Sequence, residues 1–191
     1  MASDGSARDR DGSAKSLGLF YGVKARTLQI FTRFAPGAWT LRIWLHRWRG
    51  VKIGERVFVG TDVLLETGFP HLVSIGDNVA ISMRTVIVAH DRDVPGDKKL
   101  YDRNSVSVRI EDDVFIGPCC VILPGLTIGR GSVVNAGSVV TRSVPPLTMV
   151  RGNPAVPVAK CAVPFNASSR SEFLAGLRPL GGAAAAGRRA Q

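Results

Sequence analysis

Histidine is the residue type in this chain best suited to moving a proton at neutral pH, because the pKa of an ordinary imidazole lies close to neutrality. The chain has 3 histidines. His90 closes a run of aliphatic residues in the stretch IVAHDRDVPGDKK, residues 87–99, immediately before a long polar segment. Either it is a hydrogen-bonded surface residue at the end of a strand, or it is a general base placed at the mouth of a loop.

The sequence gives weaker indications of a metal site, a reactive cysteine or another catalytic motif. A zinc site built on histidines would need several of them at suitable spacing. Here His46 lies in a basic helical stretch and His71 follows a proline in a short insertion. Cys119 and Cys120 are adjacent and form no CxxC motif, so we expect no metal and no disulfide framework. The GxSxG, Walker and dinucleotide-binding motifs are also missing from the sequence.

A six-residue period in the middle of the chain indicates the elements that would position His90. The aliphatic residues that carry it are Ile53, Val59, Leu65, Ile75, Ile81, Ile87, Ile110, Ile116, Ile122, Ile128, Val134 and Val140. Six residues are out of phase with a helical turn, whereas a parallel β-helix uses one hexad for each short strand and its corner. The glycine that often follows the aliphatic residue is expected to relieve the corner.

Three hexads make one triangular coil. The sequence therefore predicts an all-β fold, a parallel β-helix of about four 18-residue coils. These coils are expected at 53–70, 75–92, 110–127 and 128–145. A long loop, 93–109, is inserted after coil two. Pro145, Pro146 and Pro154 are expected to rule out further regular coils, since proline cannot donate to another rung.

The remaining segments flank this β-helix domain, which is predicted to cover residues 51–160. Residues 1–18 are polar, have no apolar period and are expected to be disordered. Residues 161–191 form a C-terminal extension, partly disordered, with a short helix predicted at 171–178. Residues 19–50 read as a pair of amphipathic basic helices, one over 19–34 and one ending at Gly50.

The two helices have an apolar stripe and many cations. In the second helix Leu41, Trp44, Leu45 and Trp48 share one face. The favoured interpretation is that the apolar stripe caps the open first coil and leaves the arginines in solvent. The alternative is that the aromatic and cationic residues contact a membrane surface. Although the formal net charge is +10, no groove-reading motif supports a nucleic-acid partner.

Residues 50–160 resemble the hexapeptide-repeat acyltransferases, and the sequence IGPCCVILPGLTIGRGSVVNAGSVVTRSVPPLTMVRGNPA carries the resemblance most specifically. The pattern is most similar to galactoside, maltose and polysaccharide O-acetyltransferases. The resemblance implies a left-handed β-helix, a homotrimer, and acetyl-CoA held as co-substrate in the groove between neighbouring helices. It also implies a catalytic histidine at the start of an extended loop, which is the place of His90.

The resemblance also indicates which residues bind the coenzyme. Ala136 and Gly137 are expected beside the pantetheine arm, with Gly117 and Pro118 on the same type of corner one coil earlier. Thr141 and Arg142 stand where the family contacts the coenzyme phosphates. The family often carries an arginine in its last strand, where this chain has Val156 and Ala159, and Arg151 or Lys160 is the expected substitute.

On the acceptor side, Asp62 is placed where the family has an asparagine that faces the histidine. Asp91 offers a hydrogen-bonding group at the loop, and Phe115 replaces the aromatic wall of the third coil. The expected function is transfer of an acetyl group to a hydroxyl of a sugar or glycan intermediate. Acylation of an antibiotic, natural product or amino group is the enzymatic alternative, and a β-helical assembly scaffold is the non-enzymatic one. The expected compartment is the cytoplasm, with peripheral contact at the inner membrane face left open.

Overall fold

The computed structural model describes residues 26–90 and 106–180 of the 191-residue chain. The predicted tail at 1–18, Asp91 and most of the loop 93–109 lie outside the described residues.

Twelve short strands form four triangular coils, as the six-residue period predicts. Their bounds are β1 Lys52–Ile53, β2 Phe58–Val59, β3 Leu64–Leu65, β4 Val73–Ile75, β5 Ala80–Ile81, β6 Val86–Ile87, β7 Val108–Ile110, β8 Phe115–Ile116, β9 Val121–Ile122, β10 Thr127–Ile128, β11 Val133–Val134 and β12 Val139–Val140. Each side of the triangle is a parallel sheet. The first sheet has the order β1-β4-β7-β10, the second contains β2-β5-β8-β11, and the third has the order β3-β6-β9-β12.

The hexad positions stack in register. Ile53 pairs with Ile75, and Ile110 pairs with both Ile75 and Ile128. Eleven of the twelve hexad side chains are buried, and Ile53 at the open first coil is half-buried. Burying an aliphatic side chain of this size contributes about 1.5–3 kcal/mol, so this column is the main source of stability.

The glycines after the hexad residues serve a different purpose from the one predicted. A Cβ added to Gly117 would lie 2.6 Å from the backbone nitrogen of Ala136 in the next coil, so the glycine is required by the close approach of coils. The left-handed conformation occurs two residues further on, for example at Asp113 (φ 60°) and Cys119 (φ 58°). The corner is therefore made at that later position.

The C-terminal end of the stack continues beyond the predicted limit. Val144 bridges to Ile128 in parallel, and β13 (Thr148–Arg151) pairs in parallel with β11, so an incomplete fifth coil forms. Two antiparallel strands, β14 (Val156–Cys161) and β15 (Leu177–Pro179), then extend the second sheet. The extension also contains a 3-10 helix, Phe165–Ala167, and helix α3, Arg170–Ala175, where the short helix was predicted.

Two helices lie at the N-terminal end. Helix α1 covers 26–34 within the described residues, and α2 covers Leu41–Arg49 and ends at Gly50, whose φ is 108°. No helix in the described ranges, 26–90 and 106–180, is long and apolar enough to cross a membrane.

The helices cap the first coil with their polar faces. Along the stack, the carbonyl of each hexad residue accepts a hydrogen bond from the preceding coil, as Ile75 does from Gly54. The first coil has no preceding coil. Side chains of α2 supply its donors instead, one arginine on each side of the triangle: Arg47 to Ile53 (3.2 Å), Arg42 to Val59 (2.6 Å) and Arg49 to Leu65 (3.1 Å).

The prediction that the apolar stripe covers the first coil is therefore wrong. Arg42, His46 and Arg49 are buried, whereas Trp44 and Trp48 are more than half exposed. The physical reason is that the first coil presents carbonyl oxygens, and a buried carbonyl without a donor costs about 1–3 kcal/mol. An apolar face has no donors to offer, so the arginine face packs inward and the apolar face is left outside.

Candidate active site

A carboxylate–imidazole pair lies at the end of coil two. The side chain of His90 is 45% exposed, and its Nδ1 lies 2.6 Å from Oε2 of Glu66, whose side chain has no exposed surface. Glu66 directly follows β3 in coil one, and His90 follows β6, which is stacked on β3. Stacking of two coils thus joins residues that are 24 positions apart.

Backbone amides hold Glu66 in place. Its Oε1 accepts from Gly68 (2.8 Å) and Phe69 (3.2 Å), and its Oε2 accepts from Ala89 (2.8 Å) as well as from the imidazole. Burial by itself would raise the pKa of Glu66. The hydrogen bonds from His90 and from the three amides outweigh that effect, so the pKa lies below its ordinary value. Glu66 is a carboxylate at neutral pH.

This arrangement fixes the tautomer of His90. Because ionised Glu66 can only accept, Nδ1 of the imidazole carries the proton and donates it. Nε2 is then left without a proton and can take one from a reacting group. The buried carboxylate also stabilises the positive charge that appears on the ring when it does so. The pair has the geometry of an oriented general base.

The ring of Phe69 lies beside the imidazole. The ring centroid of Phe69 lies 6.4 Å from that of His90 and 6.3 Å from that of His71. Phe69 is about half exposed. Among the described residues no three His, Cys, Asp or Glu side chains are gathered closely enough to hold a metal ion.

Thr141 and Arg142 lie on the same corner column as His90. They directly follow β12, which stacks on β9 and β6 in the third sheet. Both are exposed. The column places them two rungs beyond His90, about 10 Å at the usual strand spacing.

The other predicted coenzyme residues lie on the corner between the second and third sheets. The amide of Gly137 donates to the carbonyl of Pro118 (2.9 Å), and Gly117 lies beneath Ala136. Ala136 and Gly137 are exposed, and a Cβ on Gly137 would meet nothing within 4 Å. The structure therefore joins these four residues in one open corner.

Arg151 ends β13 beside that same corner. Its neighbour Gly152 donates to Ser138 Oγ (3.2 Å) and accepts from the amide of Val139 (3.0 Å). Arg151 is exposed. The structure thus places a cation next to the turn of residues 136 and 137.

Two of the predicted acceptor residues, Asp62 and Phe115, make their contacts away from His90. Asp62 forms an ion pair with Arg33 of α1, at 2.6 Å. Phe115 lies on the second sheet and packs against Phe165 with ring centroids 4.6 Å apart. The carboxylate that reaches His90 is Glu66, which the sequence analysis did not select.

A sequence signal for Glu66 exists in retrospect. It immediately follows the hexad residue Leu65, at a position that is glycine in five of the twelve hexads and a carboxylate only here and at Glu111. A carboxylate at this corner position is therefore a departure from the usual residue of the repeat. Such a departure from the period is a reason to look for a function.

Comparisons with known proteins identify the repeat. The sequence profile described as bacterial transferase hexapeptide (six repeats) matches residues 107–142, and that of the hexapeptide repeat of succinyl-transferase matches residues 50–89. Both matched segments are hexapeptide repeats, and both lie in the coil stack. The coils are those of the left-handed parallel β-helix, as the resemblance predicted.

Proteins similar to this chain are acetyltransferases by name. YvoF of Bacillus subtilis (strain 168), provisionally named an acetyltransferase, is 35% identical over 115 residues, which are 60% of this chain and 63% of that protein. The maltose O-acetyltransferase of Clostridium difficile 630 superposes with a TM-score of 0.57 at 25% identity, over 75% of this chain and 88% of that one. A hexapeptide-repeat acetyltransferase of Vibrio cholerae O1 biovar eltor, solved with acetyl coenzyme A, gives a TM-score of 0.53 at 25% identity, over 83% and 92% of the two chains. The chain spans less than two thirds of the length of the curated relative YvoF.

Proposed function

We propose that this protein is an acetyl-CoA-dependent O-acetyltransferase that uses His90 as its general base. The observation that carries the proposal is the pairing of exposed His90 with fully buried, ionised Glu66. An alcohol is a weak nucleophile at neutral pH and needs a base to remove its proton as it attacks. The acceptor class is a hydroxyl of a sugar or glycan, which the similarity to a maltose O-acetyltransferase supports.

The reaction transfers an acetyl group in one displacement. The acceptor hydroxyl gives its proton to Nε2 of His90 while its oxygen attacks the thioester carbonyl. The carbon–sulfur bond breaks, and the departing thiolate takes the proton from the imidazolium. The products are an acetyl ester and free coenzyme A, and His90 returns to its starting state.

The chain's own residues suit a coenzyme A site at the two corners described above. Arg142 and Arg151 are exposed cations that can pair with phosphates. The open corner at Ala136 and Gly137 lets the backbone approach a slender pantetheine arm. Because the third sheet separates this corner from the column of His90, we propose that a cyclic trimer brings corners of neighbouring copies together.

Replacing His90 tests the base directly. His90→Ala is expected to lower kcat by about a hundredfold or more, the usual contribution of a general base. Thiol release from acetyl-CoA, measured with a panel of sugars, would report it. Coenzyme A should still raise the thermal stability of the variant, and light scattering should give a mass above that of one chain. Near-unchanged turnover in His90→Ala would overturn the proposal. Transfer to amino sugars alone would show that the acceptor group is an amine and not a hydroxyl.

Replacing Glu66 by glutamine tests whether this carboxylate orients His90. If the amide nitrogen faces His90, it presents a donor to Nδ1 and favours the tautomer with its proton on Nε2, which cannot act as a base. We expect kcat to fall by tenfold or more, with the KM for acetyl-CoA little changed. A large rise in KM at unchanged kcat would instead show that Glu66 only shapes the binding site.

A further inference from the structure

The outer face of the two N-terminal helices is an apolar surface that the coils do not cover. We call it the α1–α2 surface. Its large exposed side chains are Ile30, Phe31, Phe34, Leu41, Trp44 and Trp48. Surface patches of this size on soluble proteins usually mark a contact site.

The orientation of the helices is fixed by the polar contacts beneath them. Arg42 donates to Val59 and Ala35, and Arg49 donates to Leu65 and Glu66, so rotating α2 would break four hydrogen bonds. In α1 the buried side chains are Gln29 and Thr32, and Gln29 donates to the carbonyl of Val63 (3.3 Å). The apolar side chains therefore face outward in the folded chain as a consequence of the capping.

The composition of the surface suits a membrane interface. The chain has 3 tryptophans, and two of them lie here, exposed by 57% (Trp44) and 51% (Trp48). The third, Trp39, lies between the helices with its ring centroid 5.1 Å from that of Phe58 in β2. Tryptophan is the side chain most enriched where hydrocarbon meets headgroups, because its ring is apolar and its N–H is polar. The ring centroids of Trp44 and Trp48 are 5.4 Å apart, so the two rings form one continuous apolar area.

Exposed cations lie on the same segment of the chain. Between residues 26 and 62 five basic side chains are exposed, namely Arg26, Arg33, Arg47, Lys52 and Arg56. The acidic residues of the same segment are Glu55 and Asp62, and Asp62 is paired with Arg33. The segment that carries the apolar surface therefore has an excess of exposed positive charge.

We propose that the α1–α2 surface docks this protein on an anionic lipid bilayer. The positive charge of this segment decides between a bilayer and a second copy of the chain. Two copies meeting through this face would bring the same cations together, which is unfavourable, whereas anionic headgroups neutralise them. The helices would lie in the plane of the interface with their rings among the acyl chains.

Docking would place the active site close to the lipid surface. Arg49, at the end of α2, donates to the backbone carbonyl of Glu66 (2.8 Å), and the side chain of Glu66 bonds to His90. The docking helix and the catalytic pair therefore share one rigid segment of coil one. Resting on the proposed function, this predicts an acceptor whose hydroxyls are presented at a membrane, such as a glycan carried on a lipid.

Vesicle co-sedimentation of the full chain tests the docking. The protein should bind vesicles containing phosphatidylglycerol at low salt, bind pure phosphatidylcholine weakly, and dissociate as salt screens the cations. Phe31→Ser with Trp44→Ser should weaken binding more than tenfold, because two rings leave the apolar layer. Arg26→Gln and Lys52→Gln should each weaken it about fivefold.

Matched controls lie at the opposite end of the molecule. Leu174→Ser removes an apolar side chain of similar exposure on α3, and Arg178→Gln removes an exposed cation on β15. Both should bind vesicles as the unmodified protein does. All variants should release thiol at the normal rate with a soluble acceptor.

Failure of the full chain to bind anionic vesicles at low salt would overturn the docking proposal. So would equal losses in the control variants, or a Phe31/Trp44 variant that changes the oligomeric state while vesicle binding persists. The last result would assign the surface to a second copy. Vesicle binding by a protein that releases no thiol with any acceptor would instead reject the proposed function and leave the docking intact.

Discussion

The N-terminal helices and the C-terminal extension pack on the coils with opposite chemistries. At the N-terminal end of the stack, arginines pack inward and aromatic rings face out, whereas Phe173 of the extension is buried with Val133 and Cys161 against the outer side of the second sheet. The N-terminal arrangement follows from the direction of the hydrogen bonds. Each coil donates its amides to the next one, so the first coil is left with carbonyl oxygens and the last with N–H groups.

The N–H groups of the fourth coil find acceptors in the backbone that follows it. Gly129 donates to Val144, Asn135 to Val150 and Val139 to Gly152, and these three acceptors lie in the incomplete fifth coil. No arginine cap is needed there, and the apolar side chains of the extension pack on the outer side of the second sheet instead. The carbonyls of the first coil need donors, and the long guanidinium side chains of α2 reach them without another strand.

Removing the most buried arginine should have the largest effect on stability. Arg49 is fully buried, donates to the carbonyls of Leu65 and Glu66, and lies 3.1 Å from Nδ1 of His46. Arg49→Leu should lower the free energy of unfolding by about 3–5 kcal/mol, because buried acceptors lose their donor. Chemical denaturation of the full chain measures it.

Arg47→Leu is the matched control for that variant. Arg47 also donates to two carbonyls, those of Ile53 and Gly54, but its side chain is exposed. Water can replace its donors, so the loss should be about 1 kcal/mol. Equal losses in the two variants would contradict the view that burial of the carbonyl edge makes the arginines necessary.

The same cap should make the protein sensitive to acid. Burial lowers the pKa of His46 to about 3 from its ordinary value of 6.5, and the charges of Arg49 and Arg42 add to this effect. Between these values the unfolded chain binds a proton that the folded chain does not. The free energy of unfolding should therefore fall as pH drops below 6.5, by at most about 1.4 kcal/mol per pH unit.

Substitution by glutamine isolates this contribution. His46→Gln keeps a side chain that can accept from Arg49 but does not titrate. Its free energy of unfolding should vary less between pH 6.5 and 5, an interval above the range in which ordinary carboxylates titrate. An unchanged pH slope in the variant would show that His46 is not the group responsible.

The sequence predicted the coils to within a few residues because their signal is local. Each inward residue recurs six positions later, and stacking in register needs no further information. The faces of α1 and α2 could not be read from hydrophobicity, since the deciding factor was the set of carbonyls on a distant edge. The spacing of Arg42, His46 and Arg49, which share one helical face, is the signal that could have indicated it.

The candidate site was predicted in part for a similar reason. His90 was found from its place before a long loop, which is visible along the chain. Its partner Glu66 was missed because their contact is created by coil stacking across the insertion at residues 71–74. Such contacts can be predicted only if the polar residues of two stacked coils are aligned in the same register as the aliphatic ones.

The smallest expected effect comes from the comparison of an exposed with a buried aromatic side chain. Trp44 on α2 is 57% exposed, whereas Phe173 on α3 is 4% exposed. Phe173→Ser should cost about 3 kcal/mol or more, since it opens a cavity among Phe115, Phe165 and Val133. Trp44→Ser should change the free energy of unfolding by less than about 0.5 kcal/mol.

Denaturation in the absence of lipid compares the two variants directly. A loss for Trp44→Ser as large as that for Phe173→Ser would mean that the ring of Trp44 is buried in the protein in solution, as that of Phe173 is. A negligible loss means that folding does not require the tryptophan, so its place on the surface has to be explained by what the surface binds.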